Sequence, residues 1–107
     1  MILKTNLVPK SFDAITCYPF ILVRPGAAND KGLIAHEMVH YEEQRAVFVL
    51  PWLIRYWLCP SFRLMAEVRG YRKQIEVGTI TAPQAAYLLL QYGLGITYDG
   101  AIRELTK

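Results

Sequence analysis

The only two histidines of this 107-residue chain lie in one pentapeptide, His36-Glu37-Met38-Val39-His40. On an α-helix, residues four apart share one face, so both imidazoles can bind a single metal ion. Glu37 is rotated from His36 by about 100°, so its carboxylate flanks the metal instead of binding it. In that place it can take a proton from a water whose pKa zinc lowers to about 7. The pentapeptide therefore predicts a hydrolytic zinc centre with Glu37 as the general base.

A catalytic zinc usually has three protein ligands and one water. The chain has no third histidine and no cysteine at ligand spacing, so we expect the third ligand to be a carboxylate. Glu43 lies about 10.5 Å along the helix axis from His36, too far for both to reach one ion at about 2 Å. We expect Glu43 beside the site or in solvent. Glu67 is the best candidate, and the lesser ones lie near helix ends or in loops: Asp13, Glu76, Asp99 and Glu104.

The helical stripe that carries Glu67 is polar or small, with Arg63, Gly70, Tyr71 and Gln74. Gly70 has no side chain, so two helices can approach closely at the metal. Tyr71, one turn beyond Glu67, is placed to hold a ligand or to donate to a reacting carbonyl oxygen. The alternative is that Glu67 is a surface carboxylate paired with Arg63 or Tyr71.

Strands are predicted before the histidine helix and helices after it. Residues 1–8 and about 12–24 are rich in β-branched and aromatic types, which favours strands. Pro19 cannot donate to a ladder, so the second strand should be an edge strand or contain a bulge. Asn29 or Asp30 is expected to cap a helix from Lys31 to Leu50 that stops at Pro51.

Three further helices follow. Residues 61–77 form the second, with Ser61 as its cap and Gly78 at its end. Thr81 opens the third, which runs to about Tyr92. Asp99 caps a short last helix to Leu105. We therefore predict one helix-dominated α+β domain over residues 1–107, with a short N-terminal β-sheet or hairpin packed on the histidine helix and a second helix that carries Glu67.

Composition excludes some classes of function. The chain is 53% apolar and 20% charged with a net charge of +3, and no run of Lys and Arg indicates nucleic-acid binding. Cys17 and Cys59 lack C-x-x-C spacing, so we expect two buried thiols. Residues 1–10 lack the apolar region of a signal peptide, which predicts a cytoplasmic protein.

The most apolar stretch, Ala46–Leu58, has 13 residues and is interrupted by Pro51 and Arg55. A membrane-spanning helix needs about 20 residues, so we predict a buried core segment and no transmembrane segment. Its aromatic residues leave open a peripheral contact of residues 46–58 with a membrane surface or a partner protein. These aromatic residues are Trp52, Tyr56 and Trp57.

The sequence HEMVH, followed after 26 residues by Glu67 in the context Ala66-Glu67-Val68-Arg69-Gly70-Tyr71, resembles the gluzincin branch of the zincin metallopeptidases. The chain is similar in length to the single-domain minigluzincins, and the resemblance covers roughly residues 12–78. It implies one zinc ion per chain, bound by His36, His40 and Glu67, with Glu37 as general base. It also implies that the strand around Ile15 to Val23 is the edge that aligns a peptide substrate.

The chain departs from the family at one position. Larger gluzincins often have an Asp four residues after the ligand Glu, where it orients a histidine, and this chain has Tyr71 there. We expect the histidines to be oriented instead by Glu43, Gln44 or a backbone carbonyl.

The leading hypothesis is a zinc-dependent peptidase in which Glu37 deprotonates a zinc-bound water that attacks the peptide bond. Tyr71, Tyr92 or Tyr98 would stabilise the oxyanion. One alternative is a non-catalytic binding or structural module whose zinc only holds the fold together. Glu37 argues against it, because a structural site has no use for a general base. A second alternative is an adaptor without metal chemistry that docks through Trp52, Tyr56 and Trp57.

Overall fold

The computed structural model describes all 107 residues as a three-stranded sheet followed by five α-helices. The strands are β1 (Ile2–Lys4), β2 (Ala14–Cys17) and β3 (Phe20–Val23). The helices are α1 (Lys31–Val47), α2 (Val49–Leu58), α3 (Pro60–Val77), α4 (Ala82–Leu89) and α5 (Tyr98–Leu105). Short 3-10 turns lie at Pro25–Ala27 and Leu90–Tyr92. The fold is α+β and dominated by helices, as predicted.

The sheet has the strand order β1-β3-β2, with β1 parallel and β2 antiparallel to β3. Residues 12–24 therefore do not form one strand but a hairpin. Its turn contains Pro19, preceded by a cis peptide bond. A turn suits Pro19 because it has no N–H to donate to a ladder. β3 lies in the middle of the sheet, and β2 lies at an edge.

Helix α1 begins as predicted, with the Asp30 carboxylate accepting from the backbone N–H of Leu33. It ends at Val47 and not at Leu50, because Phe48 adopts a φ of 70° that breaks the helix. Pro51 was expected to stop α1 but lies in the first turn of α2. Its missing N–H is tolerated there because the first N–H groups of a helix have no partner within the helix.

Two of the predicted caps are wrong. Helix α3 begins at Pro60, and Cys59 is the residue that precedes it, so Ser61 lies inside the first turn. Helix α5 is capped by Thr97, whose hydroxyl accepts from the N–H of Gly100, and Asp99 lies in the first turn.

Two other predicted boundaries are confirmed. Gly78 ends α3 with a φ of 91°, and its N–H donates to the carbonyls of Gln74 and Ile75. A positive φ is readily adopted only by glycine, which explains the residue type. Thr81 and Gln84 form the predicted capping box at the start of α4.

The main core lies between α3, α4 and α5, where the small side chains of Ala85, Ala86 and Ala101 let the helices pack closely around Leu89. A second cluster lies between α2 and α3. Helix α1 packs on α3 with one side and on β2 with another. It is therefore the element that connects the sheet to the helical core.

Gln44, on α1, fastens the sheet to this helix. Its side chain is fully buried; Nε2 donates to the carbonyl of Thr16 over 3.0 Å, and Oε1 accepts from the N–H of Tyr18 over 2.7 Å. The expectation that Gln44 orients a histidine is wrong. It binds the end of the hairpin to α1 instead.

The segment Ala46–Leu58 is not wholly buried. Trp52 and Tyr56 lie in the second core cluster, whereas Trp57 is 57% exposed, so the three do not form one surface patch. Both cysteines are exposed, and their expected burial is wrong. None of the helices is long and apolar enough to cross a membrane.

Candidate metal centre

The structure brings the three predicted ligands together where α1 crosses α3. Nε2 of His36 lies 3.1 Å from Oε1 of Glu67, and Nε2 of His40 lies 3.1 Å from Oε2 of the same carboxylate. The three candidate ligand atoms lie within 4.8 Å of one another, and all three residues are buried. Distances of this size suit two imidazoles and a carboxylate that share one zinc ion through bonds of about 2 Å.

Gly70 makes this approach sterically feasible. A Cβ atom built on Gly70 would lie 2.6 Å from Nε2 of His36, a distance that real Cβ atoms do not tolerate. Any other residue would displace the imidazole or separate the helices. At this glycine, the His36 side chain of α1 lies directly against the backbone of α3.

Each imidazole is oriented by an oxygen that faces its Nδ1. His36 Nδ1 donates to Oε1 of the buried Gln74 over 3.1 Å, and His40 Nδ1 donates to Oε1 of Glu43 over 3.2 Å. Glu43 also pairs with Arg69. When a metal binds, a proton kept on Nδ1 would leave the lone pair of Nε2 for the ion, which is the arrangement a metal ligand needs.

Nε2 of His40 provides a test of whether the site fits a metal. This nitrogen is buried and makes no hydrogen bond, because the nearby Glu67 oxygen lies outside hydrogen-bond geometry. A buried polar atom without a partner is costly, so it indicates a missing ligand. The donor set and this unpartnered nitrogen both fit zinc.

The charges of the site are strongly coupled. Burial would raise the pKa of Glu67, but the hydrogen bond with His36 and the positive charge of the nearby His40 hold that pKa well below its usual range. Burial would lower the pKa of His40, but the hydrogen bond to Glu43 and the nearby Glu67 carboxylate raise it to about 10. In the metal-free protein at neutral pH, His40 therefore carries a proton that balances the buried carboxylate.

Glu37 faces the same centre without joining the ligands. Its Oε2 lies 4.0 Å from Nε2 of His36, and its Oε1 accepts from the hydroxyl of Thr16 over 2.7 Å. Thr16 lies on β2, so the sheet orients the carboxylate that the helix supplies. Nothing in the sequence predicted this contact, because it depends on how the sheet docks on α1.

Three tyrosine hydroxyls surround the centre. Tyr56, which sequence reasoning missed, donates to Oε2 of Glu67 over 3.0 Å. Tyr71 packs its ring edge-on against His36 with 4.5 Å between ring centroids, and its hydroxyl lies 3.1 Å from that of Tyr92. Burial raises the pKa of all three, so they remain protonated donors. Tyr98 is 42% exposed and lies outside the cleft.

A cleft of about 910 Å³ opens over these residues, and β2 forms one wall. Asp13 and Arg24 lie opposite each other, and the N–H of Arg24 donates to the carbonyl of Asp13. Along an antiparallel pair, residues that hydrogen-bond to the partner strand alternate with residues that do not. Ala14 and Thr16 therefore direct their backbone groups away from β3. The carbonyl of Thr16 already accepts a hydrogen bond from the side chain of Gln44, so it is not available to a peptide. Both backbone groups of Ala14 and the N–H of Thr16 remain at the free edge.

The edge strand predicted around Ile15 to Val23 is thus only partly correct. β2 lies at the edge beside the cleft, whereas β3, which contains Val23, is the central strand. The sequence pattern of residues 12–24 could not separate the two strands, because both have the same β-branched and aromatic character.

Sequence reasoning also missed the role of Gln74. It lies seven residues after Glu67, on the polar stripe of α3. This position could have indicated from the sequence that Gln74 lies near the metal ligands. Two helical turns separate the two residues, so they face the same side of α3.

Comparisons of the chain with protein-family models, with curated proteins and with solved structures find no match. The resemblance to the gluzincins therefore depends on the identity and the geometry of His36, Glu37, His40 and Glu67.

We expect Gly70→Ala to weaken zinc binding at least about tenfold, because the new methyl group must displace the His36 imidazole. Competition with a coloured chelator measures the affinity. Gly26→Ala is the matched control, since a Cβ there meets nothing within 4 Å. Equal zinc affinity in the folded Gly70→Ala protein would contradict the close contact.

We expect zinc binding at pH 7 to release about one proton, because the metal needs neutral His40 and the metal-free protein holds this residue protonated. The apparent zinc affinity should therefore increase as the pH rises toward 10. Titration calorimetry in buffers of different ionisation enthalpy counts the protons. Binding without proton release would show that His40 is already neutral.

Proposed function

We propose that the protein is a zinc-dependent peptidase of the gluzincin type that hydrolyses peptide bonds in a peptide or protein substrate. The observation that carries the proposal is the position of Glu37. Its buried carboxylate faces the cleft beside His36 and is held by a hydrogen bond from Thr16. A zinc site that only stabilises a fold fills its fourth position and has no use for such a carboxylate.

In this proposal, His36, His40 and Glu67 hold one zinc ion per chain. When bound, zinc supplies the Lewis acidity that polarises a substrate carbonyl and lowers the pKa of water. Gln74 and Glu43 hold the two imidazoles in the orientation that binding requires. Tyr56 limits the rotation of the Glu67 carboxylate through its hydrogen bond to Oε2.

Glu37 acts as the general base and then as the general acid. It accepts the proton of the attacking water and delivers it to the departing amine nitrogen. Thr16 donates to one oxygen of the carboxylate, which leaves the other, Oε2, for the proton transfer. The surrounding burial keeps bulk water from competing for the same oxygen.

Tyr71 stabilises the oxyanion that forms at the carbonyl carbon. Its hydroxyl and that of Tyr92 share one hydrogen bond, so one of the two protons is free to point at the substrate. The raised pKa of Tyr71 keeps its hydroxyl protonated during the reaction.

The free edge of β2 aligns the substrate. An extended peptide pairs with the N–H and carbonyl of Ala14 and with the N–H of Thr16, as an added strand does. The cleft beside it is large enough for several peptide residues, and half of the residues that line it are hydrophobic. We infer a peptide and not a nucleic acid as the substrate, because Lys and Arg are dispersed along the chain.

The cytoplasm is the compartment that we propose. Cys17 and Cys59 are both free and exposed, and exposed thiols persist where the environment is reducing.

We expect Glu37→Gln to keep about one zinc per chain and to lower hydrolysis at least about 100-fold, because the amide cannot accept the proton. Mass spectrometry of a pool of unstructured peptides incubated with the zinc-loaded protein measures cleavage. Glu42→Gln is the control, since Glu42 is exposed and lies away from the cleft. Undiminished cleavage by Glu37→Gln would refute the mechanism, and zinc-loaded wild type that cuts no peptide would favour a structural zinc.

A further inference from the structure

An apolar surface runs along the outer face of α2, opposite the face that packs on α3. On α2, Leu50, Ile54, Trp57 and Leu58 follow one another at helical spacing, so they lie on one side of the helix. We call this surface, with the two residues that precede the helix, the α2 stripe. Its six members are 49–78% exposed: Val47, Phe48, Leu50, Ile54, Trp57 and Leu58.

Packing within the chain does not explain the stripe. Helix α2 buries Trp52 and Tyr56 against Ala66, and this contact suffices to hold it on α3. Phe48 has a φ of 70°, a conformation that is unfavourable for a bulky residue, yet its side chain is 78% exposed. The Phe48 side chain therefore gains little burial within the chain to offset that strain. Strained backbone and contiguous exposed apolar side chains both mark surfaces that bind something.

The charges around the stripe favour an anionic partner. Residues 44–66 contain Arg45, Arg55 and Arg63 and no acidic residue. Arg55 is exposed on α2 itself, beside the stripe. Arg45, in the last turn of α1, pairs with Glu42, and Arg63 donates to the carbonyls of Tyr56 and Trp57. A helix with Trp, Leu and Ile on one face and an exposed arginine beside them, in a segment without acidic residues, has the composition of helices that bind anionic lipid surfaces.

We propose that the α2 stripe inserts into the headgroup region of an anionic lipid bilayer. The ten residues of α2 rise about 15 Å, half of the roughly 30 Å of a hydrocarbon core, so the helix lies along the surface. Phe48 and Leu58, the most exposed members, enter at the two ends of the helix.

The stripe adjoins the cleft, because Trp57 belongs to both. Membrane docking therefore brings the mouth of the cleft to the bilayer surface. If the proposed peptidase function holds, on which this step alone rests, the substrates are segments of peptide chain at the membrane surface. Docking itself needs no hydrolysis, so the two proposals fail separately.

The test is co-sedimentation with vesicles of phosphatidylcholine and phosphatidylserine, 3:1, at low salt. We expect the protein to bind these vesicles and to bind vesicles of pure phosphatidylcholine at least about tenfold more weakly. Binding to the anionic vesicles should weaken as salt is added. The fluorescence of exposed Trp57 should shift to the blue on binding, because the indole leaves water. No binding to the anionic vesicles would overturn the proposal.

The double variant Ile54→Ser, Leu58→Ser keeps the core intact, because both side chains are at least 50% exposed. We expect it to bind the anionic vesicles at least about tenfold more weakly, since two apolar side chains no longer leave water. Tyr87→Ser, at a 65% exposed position on α4, is the matched control and should bind as wild type does. Equal binding by the double variant would overturn the proposal.

Sedimentation equilibrium of the same proteins measures their oligomeric state. It tests whether the α2 stripe binds a second copy of the chain instead of a bilayer. A wild-type dimer that the double variant converts to a monomer, without vesicle binding, would make the stripe an interface between copies and overturn the proposal. Repeating the vesicle assay with Glu37→Gln should give wild-type binding, which separates docking from hydrolysis.

Discussion

The carboxylate of Glu67 lies between the Nε2 atoms of His36 and His40, 3.1 Å from each, in a site that is almost closed to water. A buried carboxylate without a compensating positive charge destabilises a protein by several kcal/mol. In the metal-free protein, the proton held by His40 supplies that charge. A zinc ion would supply it more completely, because all three side chains would then share one cation.

The packing of α1 on α3 meets this requirement. Gly70 permits the helices to approach until the His36 imidazole reaches the carboxylate. Gln74 and Glu43 then fix the two rings from outside, so that each Nε2 faces inward. Side chains of both helices therefore fix the positions of the two imidazoles relative to the Glu67 carboxylate.

The sheet depends on the same helix. Thr16 of β2 holds Glu37, and Gln44, two turns further along α1, holds the end of the hairpin. One helix thus carries two candidate ligands, the candidate base and the anchor of the strand that lines the cleft. Small errors in the docking of the sheet would misplace the base and the substrate edge together.

Helical periodicity is a local property, and the features that depend on it were predictable from the sequence. The pairing of His36 with His40, the place of Gly70 and the exclusion of Glu43 from the ligand set all follow from positions along a helix. The contacts of Tyr56 and Thr16 join elements that are distant in the chain, and no local pattern indicates them. The break at Phe48 was missed because Pro51, a stronger signal, is tolerated in the first turn of the next helix.

The zinc content of the purified protein beside that of Glu67→Ala tests the central claim most directly, with Glu76→Ala, at an exposed position of α3, as control. The site described here predicts about one zinc per chain in wild type and in the control, and far less in Glu67→Ala. Equal zinc in Glu67→Ala, or no zinc in wild type even after addition of the metal, would contradict it.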